Sequence, residues 1–314
     1  MISQKEFFQQ YTHISEESFN ETKLTWVLLS EIYKQYSKNV LEYKKVANYV
    51  EDNLIDINNI HSIKKRVKDP KNLIEKIIRK SIEKPECEIT ISNYTEIITD
   101  LIGIRILHLF KDDWEIIHNT IVENWDLLDE PVANIREGDK KDIYEEKGCK
   151  IKLHPYGYRS VHYLVLFTPS KDIQYTIEIQ VRTVFEEAWS EIDHTIRYPY
   201  NVNDPILLGY LSIFNSLAGN ADAMGLYIKY LQKEFQQRNQ LIDELQSKID
   251  KSSLESAEKE HLQQNLDVLK NITLKTYDDI AQDLADSQKN TSGLRDSIKG
   301  LQVNSKAVKD DKKD

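Results

Sequence analysis

The stretch Tyr175–His194, YTIEIQVRTVFEEAWSEIDH, holds the densest set of residues able to do chemistry. Tyr175, Ile177, Ile179 and Val181 alternate with Thr176, Glu178, Gln180 and Arg182, so a strand here sets a carboxylate, an amide and a guanidinium in a row on one face. Alternation alone also describes a solvated sheet face. Complementary groups elsewhere favour a site. Arg66 and Lys68 stand just before Pro70, which holds Asp69 extended, and Lys76, Arg79 and Lys80 emerge from one face of a helix restarting behind it. Such groups can converge on one polyanion, as a triphosphate requires.

Two further segments carry candidates. Asp100 opens LIGIRILHLF, which is apolar on both faces and reads as a covered central strand with Arg105 in its middle. An arginine there needs either a structural carboxylate or a ligand, and the residues leave both open. Gly103 provides room for a close approach. In HPYGYRSVHYLVLFTP, Pro155 and Gly157 mark a turn that presents the Tyr158 ring for stacking, with Arg159 and His162 in reach of an anion. The alternative is that Tyr158 plugs a sheet edge and His162 merely alternates onto its polar face.

The elements that must position these groups follow from periodicity. Residues 1 to about 60 read as helical, without Gly or Pro. Lys111–Asn124 reads as a helix with Trp114, Ile117, Ile121 and Val122 inward, followed by strand-like residues over 127–135 and a charged loop, REGDKKDIYEEKGCK. Ser160–Phe167 is a strand ending at Pro169. Thr183 with Glu186 forms a capping box, and Val184, Ala188, Ile192 and Ile196 mark the inner face of the helix it starts. Beyond Pro205 the chain reads as a long helical hairpin, with Leu231, Phe235, Ile242, Leu245 and Ile249 in one stripe and a second capping box at Ser252 and Glu255.

Composition narrows the class. With 314 residues, 40% hydrophobic and 30% charged, the chain is globular with room for about two domains. Its net charge of −10 argues against a general nucleic-acid coat. Cys87 and Cys149 lack metal or redox spacing, and no signal peptide or run of eighteen apolar residues is present, so a cytoplasmic protein that is not membrane-bound is expected. His13, His108, His118 and His261 also lack ligand spacing.

DLIGIR, GYRSVH and EIQVRT, in that order behind the basic Arg66-x-Lys68 segment, resemble the RelA/SpoT synthetase domain, the catalytic domain of alarmone (ppGpp and pppGpp) synthetases of the stringent response. The resemblance covers roughly 61–200. It implies an α+β fold: a mixed β-sheet synthetase domain of the nucleotidyltransferase kind, flanked by helices. The expected organisation is an N-terminal helical segment at 1–60, the synthetase domain at 61–200, a C-terminal helical region at 201–300 and a disordered tail at 301–314.

The implied reaction moves the β,γ-pyrophosphate of ATP to the ribose 3′-hydroxyl of GDP or GTP. By residue, the resemblance assigns Asp100 and Glu178 to Mg2+ and catalysis, and Arg66, Lys68, Lys76, Arg79 and Arg105 to ATP, with Arg105 against the adenine. It assigns Tyr158, His162, Lys152 and Arg159 to the acceptor, and Gln180 and Arg182 to support of the site. Transfer of this kind needs an in-line hydroxyl, a hard cation and positive charge, which two acids and a basic segment supply.

Where related synthetases carry a lysine and an asparagine ahead of the GYRS glycine, this chain has His154 and Tyr156. The acceptor therefore stays open between GDP or GTP, ATP and the 3′ end of tRNA, the last making a translation-blocking toxin. No His-Asp dipeptide occurs, so the hydrolase domain of the bifunctional enzymes is not expected. The C-terminal helices are expected to serve a homo-oligomer or a regulatory partner. A non-catalytic binding module with the same fold is the alternative of another class.

Overall fold

A computed structural model describes residues 3–171, 173–197, 204–252, 255–268 and 270. Contacts divide the chain into two units, 1–229 and 230–314. The first begins with helices α1 (Gln4–Gln10), α2 (Glu16–Asn20) and α3 (Trp26–Leu54), each opened by a Ser or Thr cap whose hydroxyl accepts from the first turn. The α/β part follows in the order β1 (Ile60–Val67), α4 (Pro70–Glu83), α5 (Tyr94–Ile97), β2 (Ile102–His108), α6 (Asp113–Asn124), β3 (Asp126–Leu127) and β4 (Val132–Ile135). It continues through α7 (Asp142–Glu145), β5 (Lys150–Leu153), β6 (Ser160–Ser170), β7 (Ile173–Thr183), α8 (Val184–Arg197) and α9 (Pro205–Lys251).

The strands form one mixed sheet in the order β1-β2-β7-β6-β4-β5, with β3 also pairing β6. β2 and β7 run parallel at its centre, as do β4 and β5 at one edge; the other pairs are antiparallel. Ile102, Ile104 and Ile106 of β2, Ile177, Ile179 and Val181 of β7, and Val161, Tyr163 and Val165 of β6 share one face and are buried. They join the inward residues of α3, α4 and α6 in one apolar cluster. Within it the Tyr163 hydroxyl accepts from Trp114 Nε1 at 3.0 Å and lies 3.0 Å from His118 Nδ1, so His118 has a structural place in the core. The Cys149 thiol, also buried, is pushed up to about 11 by desolvation.

Several local expectations change. β6 does not stop before Pro169 but runs through it, because the register shifts between Phe167 and Ser170 and the missing N–H falls at that irregularity. The charged loop contains α7, anchored by buried Tyr144, whose ring meets Trp114 edge-on at 4.6 Å. Val122 faces solvent rather than the core.

On α8 the inner face is Glu186, Glu187 and Trp189, while Ala188 and Ile192 are exposed. The capping box holds: Thr183 N donates to Glu186 Oε2 at 2.9 Å and Glu186 N to Thr183 Oγ1 at 3.0 Å. Trp189, fully buried, donates its indole N–H to the Leu211 carbonyl of α9 at 3.0 Å.

The second unit contains the rest of α9 and a helical stretch over 256–268, joined by a reciprocal Gln246–Gln263 amide pair at 2.7 and 3.0 Å. Ser252 does not open a capping box; its hydroxyl donates back to the Ile249 carbonyl at 2.7 Å and closes α9. The rest of the expected C-terminal helical region and the expected tail lie outside the described residues. Among the described residues, no helix is long and apolar enough to cross a membrane.

Candidate active site

Register places the polar groups on the sheet face opposite the apolar cluster. One row crosses four strands: Lys64 pairs with Arg105, Arg105 with Gln180, and Gln180 with His162. The adjacent row runs Arg66, Gly103, Glu178. At Gly103 the Arg66 side chain lies across the gap the glycine leaves; a Cβ there would sit 3.2 Å from Arg66 Nε and 3.3 Å from its Cγ, so the arginine would have to shift.

Asp100 lies at the mouth of β2. Its Oδ2 receives Lys76 Nζ at 2.7 Å and Lys68 Nζ at 2.9 Å, so the strand end and the helix after Pro70 do converge on one point. Lys68 is fixed by its own backbone, whose N–H donates to Leu101 and whose carbonyl accepts from Tyr36 Oη at 2.8 Å. Burial pushes the Asp100 carboxyl up, but the two ammonium groups outweigh it and hold it below the usual range. Burial likewise lowers Lys68 against the pull of Asp100.

Glu178 stands on the neighbouring strand. Its Oε2 accepts from Gln180 Nε2 at 2.9 Å, and its Oε1 lies 3.4 Å from His162 Nδ1. Burial raises this carboxyl and Asp100 adds repulsion, yet the His162 and Gln180 contacts leave it below its ordinary value. The relay continues outward: Arg182 donates to Gln180 Oε1 at 3.1 Å, and Tyr158 Oη lies 2.9 Å from His162 Nε2. The Arg182 guanidinium also sits 5.5 Å from the Tyr158 ring centre.

The remaining expected residues divide. Arg105 has a structural carboxylate partner: its Nη1 meets Glu187 Oε1 at 2.8 Å and Glu191 Oε1 at 2.5 Å. Arg79 is half exposed and pairs with Glu75 at 3.5 Å, one turn from the Asp100 cluster. Lys152 is exposed on edge strand β5, opposite Asn134. Arg159, expected on the acceptor surface, is buried instead; it donates to the Asn215 carbonyl of α9 at 3.3 Å and faces Glu186 at 3.8 Å. The residue after Tyr158 points away from the polar face because Tyr158, Ser160 and His162 alternate onto it.

Three groups were not found in the sequence. Glu187 joins Lys64 (3.0 Å), Arg105 and Arg182 (3.0 Å), the counter-ion that two arginines in covered strands demand. Asn215 holds the Gly157 carbonyl at 2.8 Å. Arg197 lies 3.7 Å over the exposed Tyr156 ring, at the rim of a cleft of about 490 Å³ that His154, Arg136 and Asn215 also line.

The donor set suits a hard cation. Asp100 Oδ1 is buried without a hydrogen-bond partner, and no cluster of three or more His, Cys, Asp or Glu occurs among the described residues. Two carboxylates with phosphate oxygens and water match what Mg2+ takes beside a nucleotide.

Residues 65–203 match the family described as "Region found in RelA / SpoT proteins". GTP pyrophosphokinase YwaC of Bacillus subtilis is 30% identical over 179 residues, which span 55% of this chain and 75% of that protein. This chain belongs to the RelA/SpoT family. A second RelA/SpoT relative, GTP pyrophosphokinase YjbM of the same organism, is 27% identical over 186 residues, covering 55% of this chain and 77% of its own. The crystal structure of small alarmone synthetase 1 from Bacillus subtilis superposes with a TM-score of 0.50 at 20% identity, over 65% of this chain and 98% of that one, and shares the RelA/SpoT fold.

Proposed function

We propose that the chain is a pyrophosphokinase that transfers the β,γ-pyrophosphate of ATP to the 3′-hydroxyl of GDP or GTP, making an alarmone. The observation that carries this reading is Asp100, doubly bridged by Lys68 and Lys76, opening the strand beside the one that presents Glu178. Support for the acceptor comes from the two curated relatives, both called GTP pyrophosphokinases.

Arg66, Lys68 and Lys76 bind the donor triphosphate, and Arg105 carries the adenine end. Asp100 and Glu178 would hold Mg2+, which would supply positive charge beside the transferred group. Tyr158 orients the acceptor base, and His162 fixes Glu178. Glu178, ionised at neutral pH, accepts the hydrogen bond of the 3′-hydroxyl and takes its proton as the new O–P bond to the β-phosphorus forms. The bond between that phosphorus and the α,β-bridging oxygen breaks, and AMP leaves. In such a loose transition state, alignment and charge do most of the work.

The test is transfer of label from γ-labelled ATP, with magnesium, to GDP, GTP, ATP or deacylated tRNA offered separately. Label on GDP or GTP with release of AMP is expected. Label on ATP or only on tRNA overturns the acceptor and keeps the chemistry; no transfer by folded protein overturns both.

A further inference from the structure

A second cleft, lined by none of the residues of the transfer chemistry, lies where the last turns of α3 and α6 meet the β3–β6 pair. Its volume of about 400 Å³ is that of a small-molecule site. None of its lining residues is Lys, Arg or His, and the one charged group among them is the carboxylate of Asp126.

Hydrogen bonding fixes what this cleft offers. Asn53 gives its Nδ2 to the Tyr49 carbonyl at 2.7 Å, and Asn124 gives its Nδ2 to the Thr120 carbonyl at 2.8 Å. A carbonyl can only accept, so each amide turns its nitrogen to its own helix and keeps Oδ1 for another partner. With Asp126 they make a set of acceptors. Asn53 and Asn124 also stand in the last turns of their helices, where the backbone dipoles sum to partial negative charge. Aromatic rings complete the lining: Tyr49, 53% exposed, is backed by Phe167 with ring centres 4.9 Å apart, and Trp125 is half-buried.

We propose that this cleft binds a small organic cation, an aliphatic di- or polyamine. An ammonium group donates three hydrogen bonds and accepts none, which suits the oxygens of Asp126, Asn53 and Asn124. The methylene chain lies against Tyr49 and Trp125, whose ring faces also attract the charge. An anion is the wrong sign: it finds no cationic side chain in the lining and meets two helix ends that repel it. A divalent metal finds a single carboxylate, with aromatic rings where its remaining oxygen ligands would stand.

The experiment is isothermal titration calorimetry of the full chain with putrescine and with spermidine. Salt at about 0.15 M screens diffuse attraction by the net charge of −10. Saturable binding of one amine per chain is expected, with Kd on the order of 1 mM or tighter. Asp126→Asn should weaken it about 10-fold and Tyr49→Ala about 3-fold. Both side chains are exposed, so circular dichroism should not change. Glu31→Gln removes the same charge about 33 Å from Asn53 along α3, at 1.5 Å per residue, and should leave binding as it is.

No saturable heat up to about 10 mM amine overturns the proposal. Equal weakening by Glu31→Gln and Asp126→Asn reduces the effect to diffuse attraction and overturns it too, as does equal binding of magnesium chloride or of the uncharged diol with putrescine's chain length. The place is read separately by NMR. The Trp125 indole N–H resonance, identified by its loss in Trp125→Phe, should move as putrescine saturates; a resonance that stays fixed puts the amine elsewhere on the protein and overturns the site.

Discussion

The Asn215 side-chain amide donates to the carbonyl oxygen of Gly157 across 2.8 Å, tying α9 to the turn that presents Tyr158. Gly157 has φ of +78°, and a Cβ there would sit 3.0–3.1 Å from the Asn215 amide atoms, so the turn admits neither the conformation nor the bulk of another residue. Arg136 supports the same amide through its Nη1, 3.3 Å from Asn215 Oδ1.

Asn215→Ala should therefore loosen the acceptor turn without touching the donor site. Losing one buried hydrogen bond of about 1–1.4 kcal/mol corresponds to an acceptor KM roughly 5- to 10-fold higher. Steady-state kinetics with each substrate varied should show the ATP KM unchanged; a parallel rise in both would assign Asn215 to general stability.

Glu178→Gln keeps volume and removes charge. Turnover should fall by at least about 1,000-fold, since both proton acceptance and a carboxylate for the cation are lost. The melting temperature should hardly move. Wild-type turnover in the label-transfer assay would remove Glu178 from the chemistry.

Glu187→Ala strips three cations of their shared anion. Arg182 is fully buried, and an unpaired charge there should cost about 3 kcal/mol of stability. Denaturant unfolding should register this as a lower midpoint with an unchanged slope. Stability equal to wild type would show that Glu191 alone suffices for Arg105 and that Arg182 finds another partner.

Asp222 gives a pH-dependent outcome. Both of its oxygens are buried without a well-formed hydrogen bond, and burial, helped by Glu186, pushes its carboxyl up to about 6. A folded value above the unfolded one contributes stability that is complete below the unfolded value and disappears as pH rises through 6. The charged form thus weakens the fold at pH 7.5. Asp222→Asn should melt higher than wild type at pH 7.5, by roughly 1–3 kcal/mol, and lose that advantage between pH 6 and 4. A constant difference across that range would contradict the assignment.

The sheet's polar face was legible because period two is unambiguous: Glu178, Gln180 and Arg182 fall where alternation puts them, and the Pro70 break brings Lys68 and Lys76 onto Asp100. The inner face of α8 was not. A hydrophobic stripe at 184, 188 and 192 points one way, but Lys64 and Arg105, 123 and 82 residues away, pull Glu187 inward, and a helical pattern cannot show which distant cations will need it. The same holds for Arg159: its partners on α9 lie 56 residues on, and nothing local distinguishes it from a surface arginine.

The hydrogen bond from Trp189 to the Leu211 carbonyl gives the molecule a built-in optical reporter. Of the four tryptophans, Trp26 and Trp125 are partly exposed and Trp114 belongs to the core around Tyr163; Trp189 alone is joined by a hydrogen bond to α9. Its indole emission should be blue-shifted while α9 is seated. Any event that lifts the helix would bring water to the ring and move the emission to the red, so a spectrum read against Trp189→Phe would follow α9 in real time without a label.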